Sequence, residues 1–188
     1  SVGLRLKGNT SRRRPEGDTG QLHNATNPDW HHSHFGFDFS KYRDAQRFKG
    51  LDKLNIKWFK DDAAYVREIY CYDLFRRFGC WQAPQASYCK VWIKVQGDTT
   101  PAYFGVYAMI ENIDEVYIAK NQAKWGSGIG FLWKGGWSGS NNANFVSTAS
   151  IGVEDVNINP ALSVYYAYDL KTRKNELPAA KAQLLQFI

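Results

Sequence analysis

Apolar and polar residues alternate in four short segments of the chain, with the period of two that is typical of half-buried β-strands. These segments are residues 2–7, 35–39, 54–58 and 86–95, and a fifth segment, residues 102–110, is a mostly apolar run. A turn sequence at residues 96–101, which contains Gly97, Asp98 and Pro101, separates the last two segments and predicts an antiparallel hairpin. The alternation therefore predicts a sheet that is mostly antiparallel.

One longer segment has the 3.6-residue period of an amphipathic helix. Its apolar stripe consists of Val66, Ile69, Tyr70, Leu74 and Phe78. Asp61 and Asp62 offer an N-terminal cap and Gly79 a C-terminal cap, so we expect the helix to start at the two aspartates and to end at Phe78. The stripe is expected to pack against the sheet.

The C-terminal part of the chain has weaker patterns. Residues 113–120 predict a short helix, residues 131–133 a short strand, and residues 177–188 an apolar helix. Strands, one packed helix, a hairpin and then helical and loop segments together predict the α+β class. The length of 188 residues is that of one ordinary domain.

Positive charge is concentrated in the N-terminal third of the chain. The net charge is +6, and residues 1–60 hold 12 basic and 6 acidic residues, whereas residues 61–188 hold 12 of each. A basic surface over the whole protein is therefore not predicted. The apolar runs are too short to cross a membrane. We expect a local anion-binding segment near the N-terminus, with neither nucleic acid nor a membrane span involved.

The N-terminal segment is the first candidate for that site. Arg5 and Lys7 lie on one side of a predicted strand, and a turn with Asn9 and Ser11 follows. Two cations followed by amide and hydroxyl donors are suited to binding phosphate. A solvated basic hairpin explains the same residues without a ligand.

Lys57 and Glu68 form the second candidate. Lys57 lies on a predicted strand, where alternation should direct it away from the core, and Glu68 lies on the helix that follows. A lysine that contacts phosphate and is held by a helix glutamate is a recurring device of phosphoryl-transfer enzymes. A surface ion pair of little energetic value is the alternative.

Histidines form the third candidate. On a strand, His32 and His34 would share one side and could bind a metal, with His23 or Asp29 as a further ligand. Surface histidines that make polar contacts are the alternative. We favour that alternative, because no acidic or cysteine residue stands at a recognised ligand spacing.

Several segments taken together resemble the CotH kinase family, the spore-coat protein H group of atypical protein kinases. In chain order the matching segments are RLKGNTS at 5–11, FKGLDKLNIK at 48–57, YVREIYCYDLF at 65–75, APQASY at 83–88, YFGVY at 103–107, IENID at 110–114 and GFLWK at 130–134. Their order and spacing over about residues 3–135 make the resemblance specific.

The resemblance implies a fold like that of an atypical protein kinase, which uses ATP with Mg²⁺ or another divalent cation. It implies transfer of the ATP γ-phosphate to Ser or Thr hydroxyls of a protein, in an extracellular or cell-envelope setting. Residues 1–112 would resemble the small lobe and position the nucleotide. Residues 113–188 would be a connector and the truncated start of the large lobe.

The resemblance also implies roles for single residues. Lys57 and Glu68 would be the phosphate-contacting lysine and its helix partner. The segment around Glu111 would be a hinge that offers backbone groups to adenine, and Lys134 would be a further phosphate contact. The expected nucleotide site is completed by Arg5, Lys7, Asn9 and Ser11.

The chain departs from the family at its C-terminal end. The family's catalytic and metal-binding aspartates lie in motifs of the types N-x-D and W-D-x-D, which have no counterpart after Lys134, and Asp155 and Asp169 stand in other contexts. Either the chain is a fragment that ends as the large lobe begins, or it is a member without the catalytic half. The catalytic residues, and whether the chain is an enzyme, stay open.

The alternative function is a non-catalytic surface-binding or adhesion module on the same scaffold. This alternative rests on three aromatic residues that could be exposed and bind carbohydrate, which are Trp125, Trp133 and Trp137.

Overall fold

The structure is a computed structural model. It describes residues 1–8, 12–15, 17, 31–126, 130–136, 142–145, 150–154 and 165–188. These residues form two compact units, which are unit 1 (Ser1–Asn112) and unit 2 (Ile113–Ile188).

Unit 1 is built on a five-stranded sheet. Its strands are β1 (Gly3–Lys7), β2 (His34–Asp38), β3 (Lys53–Lys57), β4 (Ala86–Ile93) and β5 (Ala102–Glu111). They lie in the order β1-β2-β3-β5-β4, and every neighbouring pair is antiparallel. The four alternating segments and the run at residues 102–110 therefore correspond to the five strands, and the α+β class with a mostly antiparallel sheet is confirmed.

One side of this sheet forms the main core of unit 1. Phe35 on β2 lies opposite Ile56 on β3, and Ile56 lies opposite Met109 on β5, so apolar side chains line up across the strands. The buried residues of this cluster are Phe35, Leu54, Ile56, Phe104 and Tyr107. The alternate residues of β1 to β3 therefore lie on the opposite side, and they are polar.

The apolar side of β1 is less buried than the alternation predicts. Leu6 packs against the core cluster, but Leu4 is 60% exposed and Val2 is exposed as well. Since β1 is the edge strand, its start has a neighbouring strand on one side alone. Alternation does not distinguish an edge strand from a central one.

Helix α1 (Arg67–Arg77) connects β3 to β4 and is shorter than expected at its N-terminal end. The backbone N–H groups of Val66 and Arg67 donate to Asp62 Oδ2 at 3.1 and 2.7 Å, so Asp62 binds the first turn from five residues before the helix. At the other end Gly79 has φ +81°, and the next N–H, from Cys80, donates to the Phe75 carbonyl at 2.8 Å. The predicted glycine cap is confirmed by this closing turn.

The apolar stripe predicted to pack on the sheet mostly does not. Ile69 and Tyr72 pack against the buried cluster of Phe59, Ala108 and Ile110, whereas Tyr70 is 56% exposed and Phe78 79% exposed. Helix α1 thus has apolar residues on two sides. The predicted stripe combined Ile69, which packs on the sheet, with residues of the outer side.

We expect the replacement Asp62→Ala to destabilise unit 1. Asp62 is buried and accepts two backbone N–H groups that the helix itself cannot satisfy. Loss of such a cap costs about 1–2 kcal/mol of unfolding free energy. Chemical denaturation of the two proteins measures the difference, and Asp61→Asn at the neighbouring exposed residue is the matched control, because asparagine tolerates the φ of +61° there. Equal losses in both variants would contradict the capping role.

Unit 2 is built on a three-stranded sheet with short helices. Its elements are α2 (Glu115–Lys120), α3 (Gln122–Trp125), β6 (Trp133–Gly135), β7 (Ile151–Gly152), β8 (Tyr168–Leu170) and α4 (Leu177–Phe187). The strand order is β6-β8-β7, with β6 and β8 antiparallel and β7 and β8 parallel. The helices near residues 113–120 and 177–188 are confirmed, whereas α3, β7 and β8 were not predicted.

Helix α4 packs one side against this sheet. Ala180 and Leu184 are buried, and Leu184 joins a cluster with Ile151 and Tyr168. Phe187 is 77% exposed. Within the described part of the chain, none of the helices has the length and apolar character needed to span a membrane.

Candidate functional site

The polar side of the unit 1 sheet carries the basic residues of the sequence predictions. Arg5 on β1 lies opposite Gly36 on β2, and Gly36 lies opposite Asn55 on β3. Lys7 and Lys57 lie two positions further along their strands, on the same side as Arg5 and Asn55. We call this surface, made of Arg5, Lys7, Gly36, Asn55 and Lys57, the polar face.

Gly36 provides the space in which the β1 side chains lie. A Cβ atom built on Gly36 would lie 2.9 Å from Lys7 Cδ and 3.3 Å from Arg5 Nε. Both basic side chains therefore lie directly over this residue, on the way from β1 toward β3. Any larger residue at position 36 would have to displace them.

A chain of polar contacts crosses the polar face. Lys7 Nζ donates to Asn55 Oδ1, and Asn55 Nδ2 donates to Asn112 Oδ1 at 3.1 Å. Asn112 directly follows β5 and is the last residue of unit 1. The contacts therefore connect the edge strand β1 to the end of β5 through β3.

Lys57 and Glu68 are brought together as the second candidate requires. Lys57 Nζ lies 2.5 Å from Glu68 Oε1, and the Tyr72 hydroxyl donates to the same oxygen at 3.3 Å. The side chains of Lys57 and Glu68 are 39% and 30% exposed, so a solute can reach the ammonium group. Burial, followed by the charge of Glu68, raises the pKa of Tyr72, which therefore remains a hydrogen-bond donor.

The carboxylate of Glu111 accepts a hydrogen bond within unit 1. Glu111 is buried, its Oε2 accepts the Gln85 N–H at 3.1 Å, and its own N–H donates to the Gln85 carbonyl at 2.9 Å. These two bonds join the start of β4 to the end of β5. The N–H of Glu111 is thereby occupied, and its role as a hinge residue toward adenine stays a prediction.

Three sequence candidates, Asn9, Ser11 and Lys134, stay predictions. Asn9 and Ser11 are outside the described residues. Lys134 belongs to unit 2, where it is exposed on β6 and pairs in register with Asp169 on β8.

Asp169 has a structural environment in unit 2. It is 2% exposed, its Oδ1 accepts the Glu154 N–H at 2.9 Å, and Lys171 Nζ contacts its Oδ2. A buried carboxylate held by a backbone amide and a lysine is a structural ion pair. Asp155 lies outside the described residues.

The arginines that follow β1 are fixed through their backbone. The Ser33 hydroxyl is fully buried and donates to the Arg13 carbonyl at 2.8 Å, and the His31 N–H donates to the Pro15 carbonyl at 3.0 Å. The side chains of residues 12–14 are exposed. This basic segment is thus anchored at the start of β2, with its charges in solvent.

The histidines make polar and stacking contacts, but His34 is buried and His32 is half-buried, so they are not the surface histidines of the favoured alternative. His34 Nδ1 accepts the Trp58 N–H at 3.0 Å. His32 stacks on the Trp58 ring with a centroid distance of 3.4 Å, and its Nδ1 lies 3.2 Å from the Tyr107 hydroxyl. In the described residues, no group of three or more His, Cys, Asp or Glu side chains is placed to hold a metal ion. His23 and Asp29 lie outside those residues.

We expect unit 1 to lose stability as the pH falls below about 6.5. Burial lowers the pKa of His32, and burial followed by the charge of Lys57 lowers that of His34, against an opposing effect of Glu68. The unfolded chain therefore binds more protons than the folded one between the folded pKa values and the ordinary value of 6.5. Stability is fully present above that value and is lost as pH falls through this window.

Chemical denaturation at a series of pH values from about 7.5 to 5 measures this slope. The control is His34→Asn, whose side-chain oxygen can still accept the Trp58 N–H but does not titrate. We expect a flatter pH profile for His34→Asn. An unchanged slope would show that His34 does not contribute to it.

The tryptophans of the alternative function differ in exposure. Trp125 is 42% exposed, whereas Trp133 is half-buried and packs in two clusters of unit 2. Trp137 lies outside the described residues. The described chain therefore does not present these residues as one aromatic surface.

Sequence reasoning missed two residues of the site, Gly36 and Asn55, although Asn55 lies within the alternating segment on the same side as Lys57. That shared side is the signal that could have identified Asn55. Asn112 belonged to the predicted hinge segment at residues 110–112, but the contact of its side chain with Asn55 was not predicted. Gly36 and Asn112 reach the site through pairing with other strands, which one segment alone does not show.

Comparison with known proteins identifies a family for this chain. The family model described as CotH kinase protein matches residues 4–181, which is nearly the whole chain. Among curated proteins, no significant match was found. The family match supports a kinase-like function in general, and on this evidence the chain belongs to the CotH kinase family.

Proposed function

We propose that this chain positions the nucleotide in an atypical protein kinase that transfers the ATP γ-phosphate to Ser or Thr hydroxyls of a protein. The observation that carries the proposal is the contact of 2.5 Å between Lys57 Nζ and Glu68 Oε1. In protein kinases a lysine on the third strand pairs with a glutamate of the following helix, and both must be in place for phosphoryl transfer.

The order of elements in unit 1 supports the same proposal. Lys57 ends β3, Glu68 lies in the first turn of α1, and α1 is the connection between β3 and β4. The pair therefore links the central strand of the sheet to the helix that packs beside it. A surface ion pair formed by chance would not require its lysine to end the central strand and its glutamate to lie in the first turn of the following helix.

The polar face has the charges that a triphosphate requires. When ATP is bound it supplies the γ-phosphoryl group. Lys57, oriented by Glu68, would donate to phosphate oxygens, while Arg5 and Lys7 would stabilise further negative charge from the adjacent edge strand. The space above Gly36, which a Cβ atom would fill, lets these side chains converge. These residues fit the phosphate part of a nucleotide.

The described residues do not fit the metal that the family implies. In that part of the chain no cluster of three or more metal-binding side chains exists, and Glu68 is paired with Lys57. We therefore derive no step through Mg²⁺ or another divalent cation. A general base and metal ligands are not assigned among the described residues.

The acceptor and the location follow from the family alone. Members of this group phosphorylate proteins, so we propose a protein with Ser or Thr acceptors as substrate and an extracellular or cell-envelope setting. The carbohydrate-binding alternative stays a prediction, since Trp133 is half-buried in unit 2 whereas Trp125 is 42% exposed.

Isothermal titration calorimetry of the whole chain with ATP, ADP and adenosine, each in the presence of Mg²⁺, tests the proposal. We expect affinity to rise with the number of phosphates, because the polar face offers cations. Equal affinity for ATP and adenosine would contradict nucleotide positioning by this face. So would the absence of any binding of ATP.

A further inference from the structure

We infer that Asn55 is a positioning residue, which fixes the ammonium group of Lys7 on the polar face so that it meets the phosphates of the nucleotide. The inference rests on the proposed function, which assigns Lys7 but gives no role to Asn55. It is carried by the contacts from Lys7 to Asn55 and from Asn55 to Asn112.

The position of Lys7 needs an explanation, because its side chain leaves its own strand. Lys7 lies on β1, and its Nζ reaches Asn55 on β3, across the full width of β2. Two strand spacings amount to about 9.5 Å. The side chain can take this path only because Gly36 leaves the space over β2 empty. A long, flexible side chain does not adopt one extended path without a partner at its end.

The chemistry of the contact fixes the orientation of the Asn55 amide. A lysine ammonium group only donates hydrogen bonds, so the oxygen of Asn55 must face Lys7. The nitrogen of the same amide then faces the Asn112 side-chain oxygen, at 3.1 Å. Asn112 therefore holds the Asn55 amide in the orientation that binds Lys7.

Lys7 is held by a neutral side chain, and an acidic partner would change how strongly it attracts an anion. Glu68 holds Lys57 with an opposite charge, whereas the amide of Asn55 holds Lys7 without compensating its charge. Aspartate at position 55 would hold the ammonium group equally well but would repel a phosphate. An amide suits a lysine that must be fixed in place and still attract an anion.

The test is a double-mutant cycle with inorganic tripolyphosphate and MgATP as ligands, measured by calorimetry on the whole chain. We expect Asn55→Leu to weaken tripolyphosphate binding roughly two- to tenfold, as for one hydrogen bond, and Lys7→Met to weaken it at least as much. Because Asn55 acts through Lys7, the double variant should bind no more weakly than Lys7→Met. Lys41→Met, which removes an exposed lysine near the start of β1, is the matched control.

Gly36→Ala displaces Lys7 without changing any charge. The new Cβ atom would meet Lys7 Cδ at 2.9 Å, and this flexible side chain can move aside while the backbone stays. We expect weaker tripolyphosphate binding with an unchanged unfolding midpoint. In ligand-free NMR spectra, the side-chain amide resonances of Asn55 should shift in both Gly36→Ala and Lys7→Met.

The outcomes separate the inference from the proposed function. If the wild type binds tripolyphosphate and the losses of Asn55→Leu and Lys7→Met add in the double variant, the role of Asn55 is overturned and the proposed function stands. The role of Asn55 is also overturned, and the proposed function stands, if Asn55→Asp binds tripolyphosphate as tightly as the wild type. If the wild type binds neither tripolyphosphate nor MgATP, the proposed function fails and the inference fails with it.

Discussion

The variant Lys57→Met should bind MgATP roughly 10- to 100-fold more weakly than the wild type, the range expected for a hydrogen bond to a charged group. Lys57 Nζ is held 2.5 Å from Glu68 Oε1 and remains 39% exposed, so it is oriented and still accessible to a phosphate. Methionine keeps most of the side-chain volume and removes the charge. Calorimetric titration of both proteins measures the change.

Three comparisons make this result specific. Lys90→Met removes an exposed charge from β4, which β5 separates from β3, and should leave the affinity nearly unchanged. Glu68→Gln should weaken binding less than Lys57→Met, because the ammonium group is kept but less well oriented. Stability should change by less than about 1 kcal/mol in Lys57→Met, since both partners are partly exposed. Equal affinities of Lys57→Met and wild type would refute the role of Lys57.

The variant Phe104→Ala should lose about 3–5 kcal/mol of unfolding free energy in unit 1. Phe104 is 1% exposed and belongs to the cluster of Phe35, Leu54, Ile56 and Tyr107 that holds the sheet together. Alanine would remove a buried aromatic ring and leave a cavity that the surrounding strands can fill only in part. A loss of this size is a large part of the stability of an ordinary domain.

The neighbouring residue is the control for that prediction. Tyr103 precedes Phe104 on β5, is 46% exposed, and contacts Trp92 at the surface with a centroid distance of 4.8 Å. Tyr103→Ala should therefore cost about 1 kcal/mol or less. Urea denaturation of both variants measures the difference. Equal losses would contradict the assignment of the core to one side of the sheet.

The strands of unit 1 were predictable, whereas two strands of unit 2 were not. Alternation over five or more residues marks a half-buried strand directly, as in β3, where Leu54 and Ile56 are buried and Lys57 is partly exposed. Strands β7 and β8 have two and three residues, and all of them are buried. Two or three residues are too few to show a period of two in the sequence. These strands form only through pairing with each other and with β6.

The side of α1 predicted to pack on the sheet was wrong. The helical period shows that apolar residues recur along the helix, but it does not show which side of the helix faces the sheet. Ile69 and Tyr72 pack against Ala108 and Ile110 of β5, on the same side of the sheet as Lys57, whereas Tyr70 and Phe78 are exposed. The sequence contains apolar residues on both sides of this helix, and only the position of the sheet decides which side is buried. Charges did not help, because Glu68 lies close to the buried side, where it binds Lys57.

The candidate site was predictable only in part. Lys57 and Glu68 were found from the strand followed by a helix, and the structure brings them into contact. Gly36 could not be found in this way, because its role depends on which strands are neighbours. Asn112 lay in the predicted hinge segment, but its contact with Asn55 likewise depends on the pairing of β3 with β5. Gly36 matters for the site because the side chains of Arg5 and Lys7 lie over it, and these belong to another strand.

Heteronuclear NMR of the whole chain during titration with MgATP addresses the polar face as a nucleotide site. If unit 1 positions the phosphates as proposed, the largest shifts will occur at Arg5, Lys7, Gly36, Asn55 and Lys57. Adenosine should leave these resonances nearly unchanged, because it lacks the phosphates. Shifts confined to unit 2, or the same shifts with adenosine as with MgATP, would contradict the assignment.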